Sequence, residues 1–202
     1  MQRETGTFVA IDGPKSVGKT TILPHIEAWL VAHGLSVLLT KEPTPRFSLD
    51  TEQQYAGLAL ARLLSDDRRA HLAEIIEPAL TTHDVVITDR YIASTIAFRL
   101  LDTVPIVEVW DLNRNFRLPD LNVFLLASPE VLSNRRSRRA AHSRFERGDP
   151  RKEVEAYHSV QAFLRNQGTK TVVVDNSRDG EIAQAAQAIA AAIARAAGGQ
   201  GD

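Results

Sequence analysis

Residues 13 to 20 read Gly-Pro-Lys-Ser-Val-Gly-Lys-Thr, a complete G-x-x-x-x-G-K-[ST] pattern. It follows an apolar, β-prone run at Phe8 to Ile11 and precedes a helical stretch at Thr20 to His33. The pattern constrains the fold tightly, because its chemistry needs a loop held between a strand and a helix. Gly13 and Gly18 let the backbone turn so that the N–H groups of Lys15, Ser16, Val17, Gly18, Lys19, Thr20 and Thr21 face phosphate oxygens at a helix N-terminus. Lys19 adds a positive charge at the β/γ positions, and Thr20 offers its hydroxyl to Mg2+. The expected ligands are ATP and Mg2+.

Apolar runs at Phe8 to Ile11, Ser36 to Thr40, Val85 to Thr88, Leu121 to Leu126 and Thr171 to Val174 read as strands. Between and after them lie helical patterns at Thr20 to His33, Thr51 to Leu64, Asp67 to Leu80, Ile92 to Thr103, Ile106 to Phe116, Glu130 to Arg139, Arg151 to Asn166 and Glu181 to Ala196. Near-continuous apolar strands alternating with helices suit a parallel sheet covered on both faces, a doubly wound three-layer α/β fold. With 202 residues and 44% hydrophobic content, one domain is expected over residues 1–197, with a frayed tail at 198–202.

Composition removes several function classes. Lys and Arg number 24 against 25 Asp and Glu, a net charge of -1 that gives no global field for nucleic acid or an anionic membrane. The chain has no cysteine, so disulfides and thiolate metal sites are out, and its six histidines show no ligand spacing. No leader-like or membrane-spanning stretch is seen, so a cytoplasmic enzyme is expected. A guanine-reading Asn-Lys-x-Asp is absent, and helicases or transporter ATPases need longer chains, which leaves a small phosphotransferase.

Asp89-Arg90-Tyr91 closes the strand Val85 to Thr88, at the carboxyl edge where open α/β sheets bind ligands. There Asp89 is placed to organise Mg2+ or its waters, and Arg90 to clamp a phosphate with parallel hydrogen bonds; the pair also reads as an ordinary strand-end ion pair. Arg135, Arg136, Arg138, Arg139, Arg144 and Arg147 crowd one segment ahead of Gly148-Asp149-Pro150. Such a run suits a lid over residues 135–149 that orders when a triphosphate neutralises it. The alternative is a solvated basic face or a nucleic-acid patch, the latter revealed by salt-dependent DNA binding.

Taken in order and spacing, FVAIDGPKSVGKTT, TKEP, SDDRRAHLAEIIEPAL, DVVITDRYIASTIAF, LNRNFRLPDLNVFLLASPE and SRFE resemble the thymidylate kinase family over nearly the whole chain. The resemblance implies a five-stranded parallel sheet flanked by helices, ATP on the phosphate-loop side, a deoxynucleoside monophosphate opposite, an arginine lid and a homodimer. Residue by residue, it implies Lys19 and Thr20 on the ATP phosphates and Mg2+, Arg90 between donor and acceptor phosphates, and Arg68 at the acceptor. Arg135, Arg139 and Arg144 are implied on the migrating phosphoryl group. The acceptor pocket it implies takes in Glu42, Arg46, Leu64, Tyr91, Ser94, Thr95 and Phe98.

Three positions depart from the family pattern. Lys15 stands where an acidic residue usually helps hold the acceptor sugar, Leu64 where an aromatic stacks on thymine, and Thr95 where an amide often reads the base. Lost stacking and a lost amide each remove roughly 1 kcal/mol or more of base selectivity, which opens the way to a different or broader acceptor. The Ile11-Asp12-Gly13-Pro14 loop and Glu42-Pro43 also resemble viral-type thymidine and deoxynucleoside kinases, in which the Glu is a base on a sugar hydroxyl. Glu42 therefore reads either as that base or as a carboxylate orienting Arg90 or Arg46. The expected activity is transfer of the γ-phosphoryl group of ATP to dTMP or a related nucleotide. A kinase for a nucleoside hydroxyl and an inactive nucleotide-binding protein are the alternatives.

Overall fold

Strands β1 (Thr7–Asp12), β2 (Val37–Lys41), β3 (Val85–Asp89), β4 (Leu121–Leu126) and β5 (Thr171–Asp175) form one sheet in the order β2-β3-β1-β4-β5. Every pairing in it is parallel. The computed structural model describes residues 5–48, 51, 54–138, 148–178 and 180–198. Side chains on successive strand positions point to opposite faces, so each apolar run supplies two layers at once. Val9, Ile11, Val85, Ile87, Val123 and Leu125 pack on one face with α1 (Lys19–Ala32) and the C-terminal helix Ile182–Gly198. Phe8, Ala10, Val86, Phe124 and Leu126 pack on the other, against the helices that follow β2, β3 and β4.

Those helices are α2 (Gly57–His71), α3 (Glu77–Leu80), α4 (Ile92–Leu101), α5 (Ile106–Asp111) and α7 (Pro150–Asn166), whereas α6 (Pro129–Ser137) packs on the first face through Leu132; Ile182–Gly198 is α8. Two expected helices, Thr51 to Leu64 and Asp67 to Leu80, are instead one rod: α2 runs through a π-helical turn (Leu72–Ile76) straight into α3. The break expected at Ser65-Asp66 is absent because Ser65 bonds within the helix and to Asn113 and Asp67 bonds to Thr44, so neither side chain caps a helix end. Ser65 Oγ donates back to the Ala61 carbonyl at 2.9 Å, and Asp67 accepts from the Thr44 amide and hydroxyl at 2.8 and 2.6 Å. The wide turn precedes Pro78, which has no amide to close an α turn on Glu74. The stretch expected as helix to Phe116 stops at Asp111, where Asn113 turns inward and donates to the Val109 carbonyl at 2.7 Å.

Two structural facts place the site. The connections leaving neighbouring strands β1 and β3 run to opposite sides of the sheet, which opens a crevice at their carboxyl ends. The register Ile11↔Asp89 sets Asp12 and Gly13 beside Asp89 and Arg90 in that crevice.

Candidate active site

The loop between β1 and α1 leaves no room for side chains at its two glycines. A Cβ on Gly13 would lie 2.1 Å from the Leu125 carbonyl oxygen, and Gly18 has φ 104° with the Asn176 amide 2.8 Å from where a Cβ would sit. Asn176, just past β5, donates to the Val17 carbonyl at 2.8 Å and so props the loop from beneath. Lys19 folds back into the loop, donating to the Gly13 and Pro14 carbonyls at 3.0 and 3.3 Å. Its burial, together with the repulsive charge of Arg90, brings its pKa down to about 7. Ser16, Gly18 and Thr21 line a cavity of about 340 Å³ with Arg135, Arg138, Asn176 and Arg178. Arg135 also donates to the Val17 carbonyl at 3.3 Å, tying the start of the basic segment to the loop. Arg139 and Arg144, with Arg147, lie outside the described residues, as does most of the expected lid.

Asp12 is the hinge between the two halves of the site. One carboxylate oxygen accepts from the amides of Tyr91 and Ser94 at 3.0 and 2.9 Å, capping α4, while the other is buried with no hydrogen-bond partner among the described residues. Burial raises its pKa above the ordinary carboxylate value, against the lowering effect of those hydrogen bonds. Arg90 occupies a left-handed backbone conformation, φ 73°, which costs a non-glycine residue about 1–3 kcal/mol and recurs at functional sites. That conformation turns its guanidinium toward the loop. It donates at 3.1 Å each to the Gly13 carbonyl, Ser94 Oγ and the Tyr157 hydroxyl. Burial pushes the Tyr157 phenol up, so it stays a neutral partner to Arg90.

On the acceptor side a smaller cavity, about 150 Å³, is lined by Lys15, Glu42, Phe47, Leu64, Arg68, Arg90, Tyr91, Ser94, Thr95 and Phe98. Its floor is a buried network drawn from four parts of the chain. Glu42 accepts from Arg68 at 2.6 and 3.0 Å through one oxygen and meets His71 Nδ1 at 3.1 Å through the other. Arg68 also donates to Thr95 Oγ1 at 2.9 Å and to Asn113 Oδ1, and lies 4.7 Å from the centre of the Tyr91 ring. Thr40 closes the far side on His71 Nε2 at 2.7 Å. The carboxylate Glu42 thus orients an arginine, but it is Arg68 rather than Arg90 or Arg46. Arg46 does not line this cavity: it is exposed and pairs with Glu74 at 2.8 Å.

Thr20 and Asp89 share a third cavity, about 450 Å³, and Asp89 Oδ1 is buried without a hydrogen-bond partner among the described residues. A hydroxyl and an unengaged carboxylate oxygen are hard donors that fit Mg2+, which needs few protein ligands when phosphates and waters supply the rest. Among the described residues no cluster of three or more His, Cys, Asp or Glu offers an all-protein metal cage.

The sequence reading missed Asp12, His71, Asn113, Glu153, Tyr157 and Asn176 as site residues. Asn176 had a findable signal, a polar residue just past the carboxyl end of a strand. Glu153 and Tyr157 did not, since both sit on the buried face of α7 and reach Lys15 and Arg90, 138 and 67 positions away. Glu153 accepts from the Lys15 amide at 2.6 Å and pairs with Arg136, which in turn donates to the Lys15 carbonyl at 3.2 Å and the Gly148 carbonyl at 3.3 Å. This clasp binds the phosphate loop to both ends of the basic segment.

The chain matches the thymidylate kinase family model over residues 11–189. Thymidylate kinase from Xanthomonas oryzae pv. oryzae (strain PXO99A) is 33% identical, the match covering 97% of this chain and 88% of that protein. Thymidylate kinase from Xanthomonas campestris pv. campestris (strain B100) is 31% identical over 94% and 85%, and that from Caldicellulosiruptor saccharolyticus 32% identical over 64% and 69%. With the phosphate loop, the Asp-Arg-Tyr strand end and the five-stranded parallel sheet already in place, these matches make the chain a member of the thymidylate kinase family.

Proposed function

We propose that this protein transfers the γ-phosphoryl group of ATP to dTMP or a closely related nucleoside monophosphate. The observation that carries the reading is Arg90, which lines the acceptor cavity and at the same time donates to Gly13 in the donor loop. A guanidinium in that position bridges the two phosphates that must meet in line. Lys19 and the loop amides hold the β- and γ-phosphates of the donor; arriving phosphate returns Lys19 to its charged form. When bound through Thr20 and Asp89, Mg2+ supplies neutralisation of the triphosphate charge. Arg135 and Arg138, which line the donor cavity, add positive charge there. An acceptor phosphate is already an anionic nucleophile, so no general base is required and positioning supplies most of the rate.

The occupation of Glu42 supports this acceptor over a nucleoside hydroxyl. Both its oxygens are engaged, by Arg68 and His71, so it serves to hold Arg68 at the cavity floor rather than to take a proton. The family match does not favour an inactive protein either. ADP release with Mg2+ and ATP, measured with dTMP, other monophosphates and the free nucleosides, tests the proposal. Turnover of dTMP is expected, and activity confined to nucleosides would replace the reading. No helix among the described residues is long and apolar enough to cross a membrane; a cytoplasmic homodimer is proposed from the resemblance, and sedimentation velocity checks the dimer.

A further inference from the structure

Tyr157 lies on α7, fully buried behind the acceptor cavity, whose lining includes its partners Arg90 and Ser94 but not Tyr157 itself. Its ring meets Phe98 of α4 and Phe124 of β4 edge to face, with centroids 6.2 and 6.5 Å apart. A ring wedged in this way fixes its hydroxyl, which sits 3.1 Å from Arg90 Nη1 and 2.9 Å from Ser94 Oγ. Nη1 also donates to the Gly13 carbonyl and to Ser94 Oγ, at 3.1 Å each. Every hydrogen bond that the Arg90 guanidinium makes among the described residues therefore leaves from one nitrogen, and every acceptor is neutral. Arg68 is held in the opposite way, with Nε and Nη2 both given to the carboxylate of Glu42.

We propose that Tyr157 is a positioning residue for the transfer: by anchoring Nη1 from behind, it turns the Nε–Nη2 edge of Arg90 to the acceptor phosphate as a bidentate fork. The proposal rests on the monophosphate reading above. A guanidinium is planar and rigid, so fixing one nitrogen and one face fixes the direction of the edge that remains. The face is set by Phe98, whose ring centroid lies 5.1 Å from the guanidinium carbon and which the Tyr157 ring itself supports. Neutral anchors satisfy the buried nitrogen without cancelling its charge, which is kept for the incoming phosphate. A carboxylate in place of the phenol would compete with that phosphate, as Glu42 competes for Arg68. Tyr157 takes part in no bond change and gives up no proton. It acts on the rate only through the angle at which Arg90 meets the phosphates.

Tyr157→Phe keeps the ring and removes only the hydroxyl. Steady-state ADP release with dTMP, and calorimetric binding of dTMP, are measured for the wild type, Tyr157→Phe, Arg90→Ala and the double variant. In Tyr157→Phe, kcat with dTMP should fall about 10- to 100-fold, the scale of a misplaced clamp. Its dTMP binding should weaken about tenfold as the fork loses its aim, while the KM for ATP stays within about threefold of the wild type. In the Arg90→Ala background the same substitution should change dTMP affinity by less than about threefold, because the hydroxyl has nothing left to orient. A merely structural hydroxyl would lower the melting temperature and leave kcat of the folded protein unchanged. That result, or an equal loss of dTMP affinity with and without Arg90, overturns the proposal. A wild type that turns over no monophosphate refutes the transfer reading and the proposal with it, whereas an active wild type and an unaffected Tyr157→Phe remove Tyr157 alone.

Discussion

The donor and acceptor halves of this site sit side by side at the carboxyl ends of β1 and β3 and are built in opposite ways. On the donor side, residues 13 to 21 are contiguous and present mostly backbone, with two glycines fitted to gaps that no side chain can enter. On the acceptor side, side chains from the end of β2, α2, α4 and the turn after α5 meet in a buried ionic network that has no local signature. The contrast separates the kinds of damage each half suffers. A fault in the loop should remove activity with the fold intact, whereas a fault in the network should remove stability first, because it strands a buried charge.

Lys19→Ala gives the largest expected effect: turnover falls about 10³-fold, the scale of losing a preorganised donor to transition-state charge. Thermal melting should hold or rise, since the residue removed is a buried amine. A loss of melting temperature with activity retained would reverse the contrast. Arg68→Ala comes next, with an expected loss of about 3–5 kcal/mol in urea unfolding, as the buried Glu42 loses its arginine and keeps only His71. If Arg68→Ala unfolds at the wild-type midpoint, the network is not what holds the acceptor side together.

Glu153→Ala sits between the two halves and should cost about 2–3 kcal/mol by leaving Arg136 and the Lys15 amide without their carboxylate. It should also raise the KM for ATP and for dTMP together, and a change in only one would confine the clasp to that half. A fourth test uses pH. The Lys19 amine has a folded pKa of about 7, below its ordinary value of 10.5, so the unfolded chain binds more protons between these values and stability rises with pH across that window. Triphosphate binding needs the charged amine and takes up a proton there. ATP affinity should then fall about tenfold per pH unit above 7, and a flat profile from pH 7 to about 9 would show an unshifted Lys19. The smallest effect is expected at Arg46→Ala, whose exposed pair with Glu74 lies outside the cavity: neither the urea midpoint nor the KM for dTMP should move.

Legibility followed the same divide. The five apolar runs were enough for the sheet, since a buried parallel strand is apolar on both faces and announces itself locally. The loop motif was legible for a similar reason, as every group it needs is within a few residues. The gap between Leu64 and Asp67 in the expected helices has no counterpart in the structure, and the distant partners Asn113 and Thr44 of Ser65 and Asp67 show why the rod continues. Arg46 and Arg68 looked alike in the sequence, yet one is at the surface and the other at the cavity floor. No local property separates two arginines whose fates depend on what β2 and α5 bring to them.

By itself, then, the sequence determined the order of strands and helices, the phosphate loop and the Asp-Arg-Tyr strand end, because each is specified by neighbours along the chain. Which carboxylate holds which arginine, that Lys15 turns to the acceptor, and that Glu153 and Tyr157 reach the loop from α7 were decided only by the tertiary structure. Those contacts join residues as much as 138 positions apart, and their geometry exists only once the sheet has set the crevice between β1 and β3.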